Sequence, residues 1–210
     1  MYSAQTFARD TNVSRETLAL YEAWETLLYT WNKSINLVQR TALEAFWERH
    51  ALDSHQVVQY LPEGVKSVLD MGSGAGFPGV SIAMALRGVP GAQVTLVDSV
   101  GKKGTFLRTV KRDLGLPIVV STDRVESLDL PAQDVISARA FAPLPKLLDY
   151  ALPFWGENTL GVFLKGRKAD NEIEAALADF DFTVDKHVSV TDSESAVVLV
   201  RNLKRKLKAG

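Results

Sequence analysis

The sequence predicts an α/β fold in which a doubly wound, mostly parallel sheet follows an amino-terminal helical cap. Two observations lead to this prediction. From residue 65 onward, short apolar stretches rich in β-branched residues alternate with helical patterns. A glycine-rich turn, residues 72–76, directly follows the first of these stretches and precedes a helix. Such a turn lies at the carboxyl end of a parallel sheet, where nucleoside-containing ligands bind.

The cap has the pattern of two amphipathic helices. The apolar residues of the first helix recur at steps of three or four, and they are Leu18, Tyr21, Trp24, Leu28 and Trp31. Residues 33–38 interrupt this rhythm, and Thr41 with Glu44 form a capping box that predicts the start of a second helix. We therefore expect a helical extension over residues 1–62, packed on a core over residues 63–210 that ends in a basic tail.

Five strands and three helices are predicted along the core before its last part. The predicted strands cover residues 65–71, 92–98, 116–121, 134–139 and 159–166. The predicted helices cover about residues 79–88, 101–114 and 143–152. Two β-like stretches within residues 181–201 surround the polar segment 190–195. They predict a hairpin that adds an antiparallel edge to the sheet.

The amino-acid composition of the chain excludes several classes of function. The chain has 210 residues, 46% of them hydrophobic and 23% charged, with a net charge of −1, as in ordinary soluble domains. The absence of cysteine excludes disulfides, iron–sulfur sites and thiolate nucleophiles. His50, His55 and His187 lack metal-ligand spacing, so we expect no metal. Without a signal-peptide pattern or a long apolar run, we expect a cytoplasmic monomer that contacts no membrane.

The glycine spacing favours S-adenosylmethionine (SAM) over a dinucleotide. The dinucleotide fingerprint is G-x-G-x-x-G, and Phe77 stands where its third glycine would fall. Asp70 followed by Gly72, Gly74 and Gly76 instead matches the D/E-x-G-x-G-x-G pattern of class I SAM-dependent methyltransferases. SAM carries no phosphate, so a carboxylate near the turn is tolerated. No Gly-Lys-Ser/Thr ends the turn, which excludes a P-loop.

Two acids beyond the turn are candidate nucleoside contacts. Asp98 closes the second predicted strand, where a carboxylate accepts hydrogen bonds from ribose hydroxyls. Both NAD and SAM contain ribose, so Asp98 does not choose between them, and capping of the next helix is its alternative role. Val125 and Glu126 follow the third strand, where they can reach an adenine edge. A solvated surface acid is the alternative for Glu126.

Several blocks of the chain together resemble the RsmG family, formerly called GidB, over about residues 20–200. These blocks are "VLDMGSGAGFPGV", "LVDSVGKKGTFL", "RVES", "ISARAFAPL" and "FLKG". The resemblance implies a SAM-dependent enzyme that methylates N7 of guanosine 527, in the 530 loop of 16S ribosomal RNA, on free RNA or a small-subunit assembly intermediate. The SAM contacts that it implies are Gly72, Gly74, Phe77, Asp98, Val125, Glu126 and Arg139.

Methylation of N7 needs no general base, because this atom exposes a lone pair and alignment supplies much of the rate. The sequence has neither a cysteine nor the N/D-P-P-Y motif of amine methylation, so transfer to a ring nitrogen or an oxygen remains. No residue is nominated as catalytic. Arg139 and Lys165 end the fourth and fifth strands and are candidates to position cofactor, phosphate or guanine. An ion pair with Asp70 or Asp98 is the alternative for Arg139.

His50 and Asp53 lie one helical turn apart, and we interpret them as a helix pair packed on the sheet rather than a catalytic dyad. Basic clusters within residues 102–112, 165–168 and 201–208 can supply phosphate contacts. The RNA-binding candidates among them are Lys102, Lys103, Arg108, Lys165 and Arg167. Solvated faces are the alternative for the clusters. A small-molecule or protein methyltransferase, or a nucleoside-binding regulatory module, is the alternative for the whole chain.

Overall fold

The computed structural model describes residues 2–207, which form one seven-stranded sheet with helices on both faces. The strands are β1 (Ser67–Met71), β2 (Gln93–Val97), β3 (Ile118–Ser121), β4 (Gln133–Arg139), β5 (Trp155–Lys165), β6 (Phe180–Val188) and β7 (Ala196–Arg205). Their order in the sheet is β3-β2-β1-β4-β5-β7-β6. Strands β1 to β5 pair in parallel, and β7 runs antiparallel between β5 and β6. The predicted doubly wound sheet with its antiparallel hairpin is thereby confirmed.

Within residues 2–207, eight α-helices and four short helical segments, one π-helical and three 3₁₀, connect these strands or precede them. The helices are α1 (Ala4–Thr11), α2 (Arg15–Asn32), α3 (Arg40–Glu44), α4 (Asp53–His55), α5 (Gly79–Ala85), α6 (Gly101–Leu114), α7 (Leu144–Ala151) and α8 (Ala169–Ala176). A π-helical segment, Trp47–Leu52, leads directly into α4. None of the helices within residues 2–207 is both long enough and apolar enough to cross a membrane.

The helical cap packs on one face of the sheet. Tyr21, Trp24 and Leu28 of α2 are fully buried, as their helical spacing predicts. They share a hydrophobic core with Val68 of β1 and Phe106 of α6. A second core on the opposite face of the sheet gathers residues of β1, β4, β5 and β7 under α7 and α8. The boundary at residue 62, between the cap and the remainder of the chain, stays a prediction.

The predicted start of the second cap helix is wrong. Arg40 is already helical and Gln39 occupies the N-cap position without a side-chain hydrogen bond, so Thr41 lies inside the helix and caps nothing. The helix then ends at Glu44 and gives way to the π-helical segment. Segments of this kind often occur at functional sites. This one carries His50 and is followed directly by Asp53.

Three further differences from the sequence prediction concern element boundaries. Helix α1 begins after Ser3, whose hydroxyl accepts a hydrogen bond from the Thr6 N–H, and it lies in a segment for which no element is predicted. Strand β5 begins at Trp155, four residues earlier than predicted. Helix α8 is unpredicted because half of its sequence, ADNEIEAA, is polar and its buried residues are two alanines.

Candidate functional site

Two cavities of about 450 Å³ each open at the carboxyl edge of the parallel strands. The first, here the β1–β2 cavity, is lined by Gly72, Asp98, Val125, Glu126 and other residues of that edge. The second, here the β4–β5 cavity, is lined by Asp53, Arg139, Lys165, Glu172 and residues of the β6–β7 turn. Both share the wall formed by residues 140–143. Cavities of this size at this edge are typical ligand sites of α/β proteins.

Asp98 connects the glycine turn, helix α6 and the β1–β2 cavity. Its Oδ2 accepts the Gly74 N–H at 3.0 Å and lies 3.1 Å from the Lys103 ammonium. Its Oδ1 accepts the Val100 N–H at 3.0 Å, next to the start of α6. A carboxylate offers about four lone-pair positions, so Asp98 retains capacity for a ligand hydroxyl. Asp98 thus lines the β1–β2 cavity. Its alternative role as the cap of α6 is wrong, because the N-cap residue is Val100 and no side chain caps the helix, although Asp98 accepts the Val100 N–H.

The glycine turn adopts backbone conformations that favour glycine. Gly72 and Gly74 have φ angles of +69° and +59°. A Cβ on Gly72 would stand 2.3 Å from Cδ2 of Phe141, which belongs to the wall between the cavities. A Cβ on Gly74 would make an ordinary van der Waals contact with the Gly72 carbonyl oxygen at 3.9 Å. Gly72 is thus required by Phe141, whereas Gly74 is favoured by its φ angle alone.

Asp70 faces the protein interior rather than a ligand. Its side chain is fully buried, with Oδ1 accepting the Ser137 hydroxyl at 2.7 Å and Oδ2 accepting the Gly79 N–H at 3.3 Å. Burial raises the pKa of this carboxyl to about 6, although the hydrogen bonds from Ser73, Ser137 and Gly79 oppose the shift. Asp70 lines neither cavity. Its carboxyl group instead connects β1 to β4 and to the start of α5.

Arg139 is bound by the helical cap. Its guanidinium donates to Asp53 Oδ2 at 2.8 Å and to the Arg49 carbonyl at 3.0 Å, and it contacts His50 Nδ1 at 3.0 Å. The expected alternative partners, Asp70 and Asp98, are therefore wrong, and Asp53 takes their place. Arg139 lines the β4–β5 cavity and does not line the β1–β2 cavity.

The rings of Phe77 and His50 both contact the Arg139 guanidinium. The two rings stack with centroids 4.3 Å apart, and the Arg139 guanidinium lies 4.5 Å from the centre of the Phe77 ring. Phe77 also packs on Trp24, and it lines neither cavity. Its ring packs against the cap rather than into a cavity, and its contact with a cofactor stays a prediction.

His50 is held in its neutral form. Burial, followed by the charges of Arg139 and Arg49, lowers the pKa of its imidazole to about 3. His50 and Asp53 do not form a hydrogen bond to one another but converge on Arg139. Asp53 Oδ1 additionally accepts from Gln56 and from the Thr191 hydroxyl, which connects the cap to the β6–β7 turn. These two residues thus form a positioning network, and His50 is poorly suited to proton transfer.

Lys165 and Glu172 form the opposite part of the β4–β5 cavity. The Lys165 ammonium donates to the Ala142 carbonyl and to Glu172 Oε2, both at 2.7 Å. The same Oε2 accepts the Leu144 N–H at 2.8 Å, at the start of α7. Glu172 and Phe141 were not predicted as site residues from the sequence, although Phe141 lies within the block "ISARAFAPL" directly after β4.

The basic clusters differ in how far acids neutralise them. Lys103 pairs with Asp98, and Arg167 pairs with Glu194 at 2.8 Å. In the tail, Arg201 pairs with Asp185, Arg205 with Asp149 and Lys206 with Asp181, while Lys208 lies outside the described residues. By contrast, Lys102, Arg108 and Lys111 are exposed on α6 and form no ion pair within residues 2–207. This exposed face of α6 is the least neutralised of the clusters.

Within residues 2–207, no group of three or more histidine, aspartate and glutamate residues is arranged to hold a metal ion.

Comparison with known proteins places the chain among methyltransferases of small-subunit ribosomal RNA. Residues 17–203 match the family model GidB, described as rRNA small subunit methyltransferase G. A ribosomal RNA small subunit methyltransferase G from Parvibaculum lavamentivorans is 44% identical, covering 95% of this chain and 89% of its own. The Rhizobium meliloti relative of the same name is 43% identical, covering 93% and 94%. Among solved structures, SAM-bound magnesium protoporphyrin IX methyltransferase from Synechocystis has a TM-score of 0.60 at 15% identity, covering 85% of this chain and 97% of its own, and this likeness concerns the fold alone.

Proposed function

The chain belongs to the GidB family of rRNA small subunit methyltransferases G, and we propose that it transfers a methyl group from SAM to N7 of guanosine 527 in 16S ribosomal RNA. The observation that carries this proposal is the pair of adjoining cavities at the carboxyl edge of the sheet. In our proposal the β1–β2 cavity receives SAM and the β4–β5 cavity receives the nucleobase. Residues 140–143, the shared wall, bring the two ligands together.

The residues of the β1–β2 cavity fit SAM. Asp98 has one lone-pair position left for a ribose hydroxyl, and the backbone of Gly72 lines the same cavity. Val125 and Glu126 line the part of the cavity where the adenine would bind. Phe141 and Tyr150 line the same cavity, and the centroids of their rings are 5.5 Å apart. These two aromatic rings offer apolar surface to a purine.

The reaction is proposed to proceed by alignment without a general base. SAM supplies a methyl group on a positively charged sulfur, and N7 supplies the lone pair that accepts it. The chain's own contribution is to hold the base at the shared wall and to exclude water, which can account for a large part of the rate. Arg139, fixed by Asp53 and supported by Phe77, is the proposed positioning cation on the base side, with Lys165 opposite.

RNA phosphates are proposed to bind the exposed face of α6, which carries Lys102, Arg108 and Lys111. This helix begins just after Asp98, so its first turn lies beside the β1–β2 cavity. Unpaired lysine and arginine side chains gain more from phosphate contact than those already paired with acids. Lys103 and Arg167 are therefore weaker candidates than the sequence alone suggests, because Asp98 and Glu194 already hold them.

Mass spectrometry of 16S rRNA nucleosides tests the proposed function. We expect 7-methylguanosine at the target position in cells that carry the chain, its loss when the gene is deleted, and its return on complementation. Purified protein with methyl-labelled SAM should place the label in the same fragment. Label in protein or small molecules alone, with unchanged rRNA, would contradict the proposal, and SAM binding without any turnover would indicate a regulatory module.

A further inference from the structure

We propose that Glu172 is the residue that selects guanine, by accepting hydrogen bonds from its N1–H and N2–H groups in the β4–β5 cavity. This inference rests on the proposed function, because it concerns how the same site recognises its base. A flipped base is generally read through hydrogen bonds to its Watson–Crick edge and by stacking. Guanine presents two donors on that edge, and a carboxylate is their natural acceptor.

Glu172 is positioned for this role, since only one of its oxygens is used by the protein. Its Oε2 accepts from both Lys165 and Leu144, and no donor within residues 2–207 is hydrogen-bonded to Oε1. The side chain is 25% exposed and lines the cavity. Contacts with β5 and with the start of α7 hold the carboxylate in place, which reduces the entropy lost on binding a base.

The other acid of the cavity has no oxygen free of protein contacts. Asp53 accepts from Gln56 and Thr191 on Oδ1 and from Arg139 on Oδ2. By the count of four lone-pair positions, one position remains on Asp53 and two remain on Glu172, both on its unused Oε1. Of the two carboxylates, Glu172 is therefore the one that can accept from two donors.

The position of Glu172 also agrees with methylation at N7. In a purine, the N1 and N2 groups lie on the opposite side from N7. Glu172 lines only the β4–β5 cavity, whereas residues 140–143 line both cavities. A guanine bound to Glu172 through its Watson–Crick edge therefore leaves N7 free to accept the methyl group.

The test uses purified full-length protein and small-subunit RNA assembled with guanosine, inosine or 7-deazaguanosine at the target position. Inosine lacks the N2 amino group, and 7-deazaguanosine lacks the nucleophilic N7. With wild-type protein, we expect inosine to lower kcat/KM by roughly 10- to 100-fold, as for loss of a hydrogen bond to a charged group. Glu172→Gln should lower kcat/KM on guanosine by a similar factor and reduce the preference for guanosine over inosine towards one.

Glu174→Gln is the matched control, because it removes the same charge from an exposed position of α8 that lines neither cavity. SAM affinity of both variants should equal that of wild type, and a cooperative unfolding transition shows that Glu172→Gln is folded even though it loses the ion pair with Lys165. An unchanged guanosine-to-inosine preference in folded Glu172→Gln would overturn the role of Glu172. Methylation of 7-deazaguanosine at the guanosine rate would instead overturn the proposed N7 function, and the two failures are thereby distinguished.

Discussion

Arg139 and Asp53 form an ion pair at 2.8 Å between residues 86 positions apart in the chain. The pair joins the end of β4 to the helical cap, and both side chains are mostly buried. It makes the cap a structural part of the β4–β5 cavity. An extension that merely covered the sheet would not contribute a cavity residue such as Asp53.

Asp53→Asn should weaken this junction. We expect a loss of about 1–3 kcal/mol in the free energy of unfolding, because the variant leaves a half-enclosed guanidinium without its anion. Methyl transfer to rRNA should fall while SAM affinity is kept, since Arg139 does not line the β1–β2 cavity. Urea denaturation measures the free energy of unfolding, calorimetry measures the SAM affinity, and transfer of labelled methyl to rRNA measures the activity. Glu48→Gln, an exposed acid of the same cap, is the control, and equal stability of both variants would contradict the role of Asp53.

Asp98→Ala should weaken SAM binding by roughly 1–3 kcal/mol, because ribose hydroxyls would lose a buried acceptor. Calorimetry with SAM measures this change. Asp98 also holds Gly74 and Val100, so the unfolding midpoint is recorded alongside. Asp129→Ala, at an exposed position that lines neither cavity, should bind SAM like the wild type. Unchanged SAM affinity in Asp98→Ala would remove Asp98 from the site.

Asp70→Asn should alter how stability depends on pH. The pKa of Asp70 is about 6 in the folded chain and 3.8 in the reference state, so the folded state holds its proton more tightly. The stability of wild type relative to the variant is therefore greatest below about pH 4 and decreases as the pH rises through 6, by about 3 kcal/mol in all. Urea denaturation between pH 4 and 7.5 measures the difference, and a constant difference would show that Asp70 ionises normally.

The methyl-transfer step should be nearly independent of pH between about 6.5 and 8.5, in contrast to the bell shape of acid–base catalysis. His50, with a pKa of about 3, stays neutral throughout this range. Single-turnover rates at saturating RNA and SAM isolate the step. A log-linear rise governed by one pKa within the range would reveal a general base and refute alignment alone.

Lys102→Ala combined with Arg108→Ala should weaken RNA binding and flatten its dependence on salt. Each lost phosphate contact lowers the slope of log affinity against log salt by roughly 0.7–0.9. SAM affinity should remain, because these exposed side chains do not line the β1–β2 cavity. Arg167→Ala is the comparison, since Glu194 already neutralises Arg167 and its loss should change the slope little. The reverse order of effects would move the RNA interface to the β4–β5 side.

The sequence by itself determined the sheet and the glycine turn. The alternation of β-branched and helical stretches is a local pattern, and parallel strands connected by helices have few possible arrangements. For the same reason, the positions of Asp98, Arg139 and Lys165 at strand ends could be predicted, because a strand end is a position along the chain.

Only the tertiary structure decided which side chains those residues meet. Arg139 pairs with Asp53 rather than Asp70, because the residue directly after the π-helical segment lies against the end of β4. Asp70 points inward to Gly79 and Ser137, and Glu172 reaches the cavity from a helix that has no clear pattern of its own. Such contacts join elements far apart in the chain, and their free energy depends on distance and burial, which no local spacing of residues encodes.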